Sequence, residues 1–330
     1  MHLLKKLLIS SLLTVAASSV IAQTSLKIAT DSGAKGSPSG DAIEKWAKLI
    51  EEESQGQLKS RLFYQNQLGG QEEVFDQHIA GDVQLMLNWP MTSYDKRIGV
   101  IYTPYMFTTW EDAISAYQPG GWLNKTMDTI YNENGLKFFG AWPEGFNGVA
   151  TRGKYAVTIA DATSIKVRVP PVFPFVEILQ SLGYQTAQID WGEVFTSIQT
   201  GVVDGDAANV IYYDYEYFRD TLDYYVRSKQ QFITGVLSMN LEAWEKLTPE
   251  QQTVVQEAAI VVMQDQFKQA RTADNDIVKK WTDLGKHYIE PDATQLAEMM
   301  NKVRKDVWPL MEKDVGPEIM QSIMQNASNL

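Results

Sequence analysis

The sequence predicts an α/β protein of two domains, and three observations carry that expectation. Apolar strands alternate with amphipathic helices in two separate stretches, the order that builds a parallel sheet under covering helices. A length of 330 residues suits two domains of ordinary size. From Thr248 onward the pattern becomes helical over a run longer than one domain needs, long enough to brace two.

The chain opens on "MHLLKKLLISSLLTVAASSVIA", with Lys5 and Lys6 ahead of an apolar run and small residues at its end. That arrangement is a secretory leader with cleavage expected after Ala22. The run is shorter than the roughly 20 residues a membrane span requires. The chain beyond Ala22 is expected to be exported and soluble, in the periplasm.

Next, "SLKIAT" alternates as a strand, with Leu26 and Ile28 on one face, and the polar loop "DSGAKGSPSG" comes after it. Ile43, Trp46, Ala47 and Ile50 then recur at helical spacing, and Gly56 closes that helix. "LKSRLFY" reads as a second strand, "QEEVFDQHIAG" as a helix, and "VQLMLNW" as a buried strand. "GGWLNKTMDTIYNENG" continues as a helix and "LKFFGAWPEG" as a strand leading away.

A second unit repeats this order without repeating the sequence. It runs strand "IKVRV", helix "FPFVEILQSLG", strand "QTAQI", helix "WGEVFTSIQTG" and strand "VVDGDAANVIYY". Thr248, Pro249 and Gln251 then form a capping-box signature, opening the long helix through "VVQEAAIVVMQDQF" towards "IVKKWTDLG". "DATQLAEMMNKVRKDVWPLMEKDVG" supplies further helix.

Composition narrows the function. The net charge of −12 argues against nucleic acid and against an anionic membrane surface, both of which select basic patches. There is no cysteine, hence no disulfide framework and no thiolate chemistry. His78 and His287 each lack a ligand-spaced partner and read as lone surface histidines. No metal and no cofactor is expected, and no glycine-rich phosphate loop occurs.

Parallel α/β sheets bind ligands beyond the carboxyl ends of their strands. The residues placed there are Asp31 and Ser32, Asn88 and Trp89, Arg168, Phe173 just past the double proline, Trp191, and the stretch Ala208 to Tyr213 with Asn209 and Tyr212. The set combines a guanidinium, indoles, amides and tyrosines: walls for a binding cleft, without a nucleophile and base in evident partnership. Arg168, in "SIKVRVPP", has two readings at this point. Either it faces solvent on an edge strand, or it clamps an anion at the cleft. Most of the tyrosines in "NVIYYDYEYFRDTLDYY" suit a core, with Tyr212 and Tyr213 nearest the strand end. Carboxylates such as Asp190 with Glu193, or Asp204 with Asp206, leave a secreted hydrolase or lyase as the competing class. Their positions in a helix's first turn and beside Gly205 have structural explanations of their own.

"SIKVRVPP" followed by "WGEVFTSIQTGVVDG" resembles the paired signature of the DctP-type solute-binding proteins of TRAP (tripartite ATP-independent periplasmic) transporters. "SQGQLKSRLFYQNQLGGQEEV" and "MNLEAWEKLTPEQQ" match as well, so the resemblance spans nearly the whole chain after the leader. It implies a hinged, two-domain periplasmic-binding-protein-like fold crossed by a long helix. The implied division is 23–145 plus 234–273 for domain I and 146–233 plus 274–330 for domain II. The implied activity is non-enzymatic capture of a small organic anion, carboxylate or sulfonate, by a monomer that delivers it to an integral-membrane permease. Arg168 would be the signature arginine pairing with the ligand's carboxylate, and Trp191 the aromatic against it. Where the family has "DGQEN" this chain has "DGDAAN", with Ala208 at the ligand-binding position and Asn209 one residue on. No arginine precedes Arg152 after the expected crossover, where many members carry a second. Both departures argue against a C4-dicarboxylate or sialic acid.

Overall fold

A computed structural model describes residues 23–328 of the chain; the leader expected over residues 1–22 lies outside them. The strands are β1 (Thr24–Thr30), β2 (Leu58–Phe63), β3 (Leu85–Asn88), β4 (Leu136–Phe146), β5 (Val149–Thr151), β6 (Lys166–Val169), β7 (Gln185–Gln188), β8 (Gly205–Asp206), β9 (Tyr224–Val226), β10 (Phe232–Asn240) and β11 (His287–Ile289). They form two sheets, one of order β2-β1-β3-β10-β4 and one of order β11-β9-β5-β8-β6-β7. In the first sheet β2, β1 and β3 run parallel, and β10 runs antiparallel to both of its neighbours. In the second, β8, β6 and β7 run parallel, while β5 opposes β8 and β9.

The first sheet's core follows from the helical stripe of helix Pro38–Glu53. Ile43, Trp46 and Ile50 are all fully buried, in one cluster with Leu26, Ile28, Leu85 and Leu87. Ser37 caps this helix by accepting from the Gly40 N–H, and Pro38 occupies its first turn.

The chain passes between the sheets twice over short distances. It runs from Phe146 at the end of β4 to Val149 at the start of β5, then from Val226 to Phe232 between β9 and β10. A third passage lies inside the helix Pro249–Asp283, 35 residues long and opened by the Thr248–Gln251 capping box. Its first half buries Val255, Ala259 and Met263 with the core of the first sheet. Its second half buries Ala270, Ile277 and Trp281, and the Trp281 indole donates to the His287 carbonyl at 3.1 Å beside β11. Arg227, one residue past β9, pairs with Asp274 of this helix at 2.5 Å, both side chains being buried. No described helix is long and apolar enough to cross a membrane.

Three expectations need correction. The strand read through "VVDGDAANVIYY" is only Gly205–Asp206, and Ile211–Phe218 is a helix. Gly205 is required by proximity, since a Cβ there would meet the Ala150 carbonyl oxygen at 1.8 Å. The Asp206 carboxylate then accepts from the N–H groups of Ala208 and Asn209, a local turn that ends the ladder. Ile211, Asp214 and Phe218 are buried at helical spacing, so tertiary burial decides the period there.

His78 is no surface histidine. It is wholly buried, with its ring nitrogens 2.9 Å from the Val83 carbonyl and 2.9 Å from the Ser238 hydroxyl. Burial pushes its pKa down to about 4, which keeps the imidazole neutral. The third correction concerns the strands: β5, β9, β10 and β11 are additional to the alternation read from sequence. β10 is the most informative of them, since its nine residues are all buried.

Candidate functional site

A cavity with an atom-free space of about 600 Å³, part of it open to solvent, lies between the two sheets. One wall is built on the first sheet and carries Ser32, Gln71, Trp89, Glu144 and Ile233. The other is built on the second and carries Arg168, Val172, Phe175, Trp191 and Asn209, with Tyr213 from the helix Ile211–Phe218.

Arg168 sits on β6, between Val167 and Val169, which are fully buried. Its side chain is only 3% exposed, which removes the solvent-face reading. Its Nε donates to the Ile189 carbonyl at 2.8 Å, and Nη1 donates to Asp206 Oδ1 at 3.1 Å. Asp206 is fixed in turn by the N–H groups of Ala208 and Asn209 at its other oxygen, at 2.9 and 3.1 Å. The guanidinium is therefore held on two sides, and its Nη2 has no hydrogen-bond partner among the described residues. A planar fork fixed this way is preorganised to meet a second anion in the cavity.

The Trp191 ring lies 5.9 Å from the guanidinium carbon, a cation–π arrangement. Trp191 also meets Tyr213 edge-on at 5.8 Å, as does Trp89 at 6.3 Å. Three aromatic rings thus line the span between the sheets. The Trp191 indole N–H is buried without a hydrogen-bond partner, and the Tyr213 hydroxyl is buried beside the Glu144 carboxyl. Asn209 commits its side-chain N–H to Asp214 at 3.1 Å, and burial beside Asp206 pushes the Asp214 carboxyl well up.

The first-sheet wall is acidic and amidic. Trp89 Nε1 donates to Glu144 Oε2 at 2.9 Å. Burial pushes the Glu144 carboxyl up to about 8, with the nearby Asp31 adding to the rise. Asp31 lies just behind the wall, accepting from the Ser32 hydroxyl at 3.1 Å and the Trp89 backbone N–H at 3.3 Å, and burial pushes it up to about 7. Gln71 donates to Ser32 Oγ at 2.9 Å, so the Ser32 hydroxyl is oriented from both sides.

Of the residues placed at the cleft by sequence, Ser32, Trp89, Arg168, Trp191, Asn209 and Tyr213 line the cavity. Four do not. Asp31 is one bond behind it, and Asn88 is wholly buried in β3 with both side-chain polar atoms unpartnered. Tyr212 turns to an adjoining cavity beside Trp142, because successive residues of a helix point about a quarter-turn apart. Phe173 packs next to Gly99. Glu144, Gln71 and Ile233 were not foreseen. Glu144 belongs to the "WPEG" end of β4, and the strand-end rule applied to that strand would have reached it. Ile233 is the second residue of β10, a strand absent from the sequence reading.

The description "Bacterial extracellular solute-binding protein, family 7", the DctP model, matches residues 29–314. Among curated relatives, the uncharacterized protein YiiZ of Salmonella typhimurium is 28% identical over 68% of this chain and 68% of its own length. The ectoine/5-hydroxyectoine-binding periplasmic protein UehA of Ruegeria pomeroyi is 24% identical over 73% of this chain and 71% of its own. A TRAP periplasmic solute-binding protein from Haemophilus influenzae, solved with bound L-gulonate, superposes with a TM-score of 0.84 over 92% of this chain and 100% of that one, at 21% identity. The two sheets and the bridging helix agree with that fold. The chain belongs to the DctP family of bacterial extracellular solute-binding proteins, a family of binders and not of enzymes.

Proposed function

We propose that this protein captures a small organic acid in the cavity between its sheets, with Arg168 as the anion clamp, and delivers it to a TRAP-type membrane permease. It would reach the periplasm on the 1–22 leader and work there as a monomer. The domain division at about 145, 233 and 273 would let the walls close on the solute, with the passages at 146–149 and 226–232 as hinges.

The observation that carries this reading is the Arg168 guanidinium. It is buried, aimed into a cavity, held by Ile189 and Asp206, and left with N–H groups to spare. An arginine kept only for structure would spend its donors on protein acceptors, because unmet buried donors cost free energy. Acid recognition also agrees with the gulonate held by the Haemophilus influenzae protein.

The test begins with a thermal-shift screen of the purified mature chain against L-gulonate, ectoine, succinate, proline and small sulfonates. A ligand that binds the folded state raises the melting midpoint through RT ln(1 + [L]/Kd). The best acid should then lose its shift in Arg168→Ala. An acid that shifts Arg168→Ala as strongly as the wild type would remove the clamp.

A further inference from the structure

The cavity wall carries one acid for its one guanidinium, and the two stand on different sheets. Arg168 already has an acidic partner in Asp206, which is wholly buried behind it. Glu144 has no basic partner among the described residues: its neighbours are the Trp89 indole N–H and the Tyr213 hydroxyl. A buried carboxyl without a cation is costly to ionise, which is why its pKa rises to about 8. A solute bearing only carboxylates would leave that acid facing an apolar or like-charged end. Between the guanidinium and the Glu144 carboxyl run Trp89, Tyr213 and Trp191, whose ring faces attract cations.

Resting on the reading of Arg168 as the anion clamp, we propose that the solute is a zwitterion. Its carboxylate meets Arg168, and its cationic nitrogen meets Glu144 between the rings of Trp89 and Tyr213. The ligand class is a small amino acid, imino acid or betaine. The acid on the first-sheet wall then sets specificity: it admits a positive end and rejects a second carboxylate.

The test is titration calorimetry at pH 7.5 with three matched pairs, each a zwitterion and the anion in which carbon replaces the charged nitrogen. They are glycine betaine with 3,3-dimethylbutanoate, proline with cyclopentanecarboxylate, and 4-aminobutanoate with pentanoate. In at least one pair the zwitterion should bind ten times or more tighter. Glu144→Gln should abolish that preference, and Glu144→Asp should keep part of it. Arg168→Ala should weaken both members. The ligand-free melt of Glu144→Gln is the folding control, and Glu144→Asp carries the test if that variant is unstable. Equal affinities in every pair, a preference that survives Glu144→Gln, or tight L-gulonate binding with no zwitterion bound would each overturn the zwitterion. In the cases where plain acids bind through Arg168, the clamp reading survives. Failure of every acid in the set, gulonate included, would sink both.

Discussion

The two walls of the cavity differ in charge and in how they hold it. The second-sheet wall presents a guanidinium neutralised from behind by Asp206 and oriented by Ile189. The first-sheet wall presents Glu144, whose partner is a neutral indole N–H, with Asp31 buried behind it. One wall is therefore preorganised and electrostatically paired; the other waits for a partner. On the proposed function, recognition of the anion falls to the second-sheet wall and selection to the first-sheet wall. An anion would find its fixed fork on one side, and the far end of the solute would be judged on the other.

Breaking the paired wall should have the largest effect. Arg168→Ala removes the clamp and strands Asp206 in the interior. Leaving a buried charge unpaired costs about 3–5 kcal/mol of stability, so the ligand-free melting temperature should fall along with affinity. Loss of affinity with an unchanged melt would mean that Asp206 does not depend on Arg168.

Trp191→Ala comes next. Trp191 packs against Tyr217 and Phe218 as well as Tyr213, so the truncation should destabilise by about 3–5 kcal/mol, as large core deletions do. Trp110 offers the comparison, for it has the same 8% exposure but packs against Phe146 and Phe232 and is no part of the cavity wall. Both variants should lose stability in denaturant titrations, and only Trp191→Ala should also lose affinity out of proportion. Equal affinities would return Trp191 to the core.

The smallest effect concerns pH and sharpens the account of the acidic wall. Asp31 has its folded pKa raised to about 7, so between about pH 4 and 7 the folded state holds a proton that the unfolded state has released. Stability contributed by that group is intact below the unfolded value and falls as pH climbs towards 7. His78 works oppositely, since its folded pKa of about 4 makes stability fall as pH drops below about 6.5. The difference between wild type and Asp31→Asn isolates the carboxyl, because both chains keep His78. Asp31→Asn should gain stability relative to wild type as pH rises through that window, measured by urea midpoints. A constant difference across the window would mean that Asp31 is ionised in the fold.

How much of this was legible in the sequence tracks the same division between walls. Arg168 and Trp191 lie in short segments whose strand, turn and helix signals are local, so periodicity and proline placement put them at a strand end and a helix start. The capping box at Thr248 is local too, and it opens the bridging helix where the signature stands. Ile233 joins the first-sheet wall because β10 inserts between β3 and β4, pairing Val236 with both Asn88 and Ala141 across long stretches of sequence. His78 was misread for the same reason, as its hydroxyl partner Ser238 is on β10. The Arg168–Asp206 pair spans 38 residues, and neither residue's spacing announces the other. Local chemistry was readable, and long-range pairing was not.

The central claim, that Arg168 is a fixed fork for the solute's carboxylate, is tested most directly by Arg168→Lys. Lysine keeps the positive charge, so Asp206 retains a counter-ion and the fold should survive. It loses the planar geometry that meets a carboxylate with two parallel bonds. Titration calorimetry with the tightest-binding acid of the thermal-shift screen should show affinity lowered by about 2–5 kcal/mol, the range for disrupting a buried charge pair, or roughly thirtyfold and more. The ligand-free melt should move far less than in Arg168→Ala. Wild-type affinity in the lysine variant would contradict the account, leaving Arg168 as a mere charge that balances Asp206.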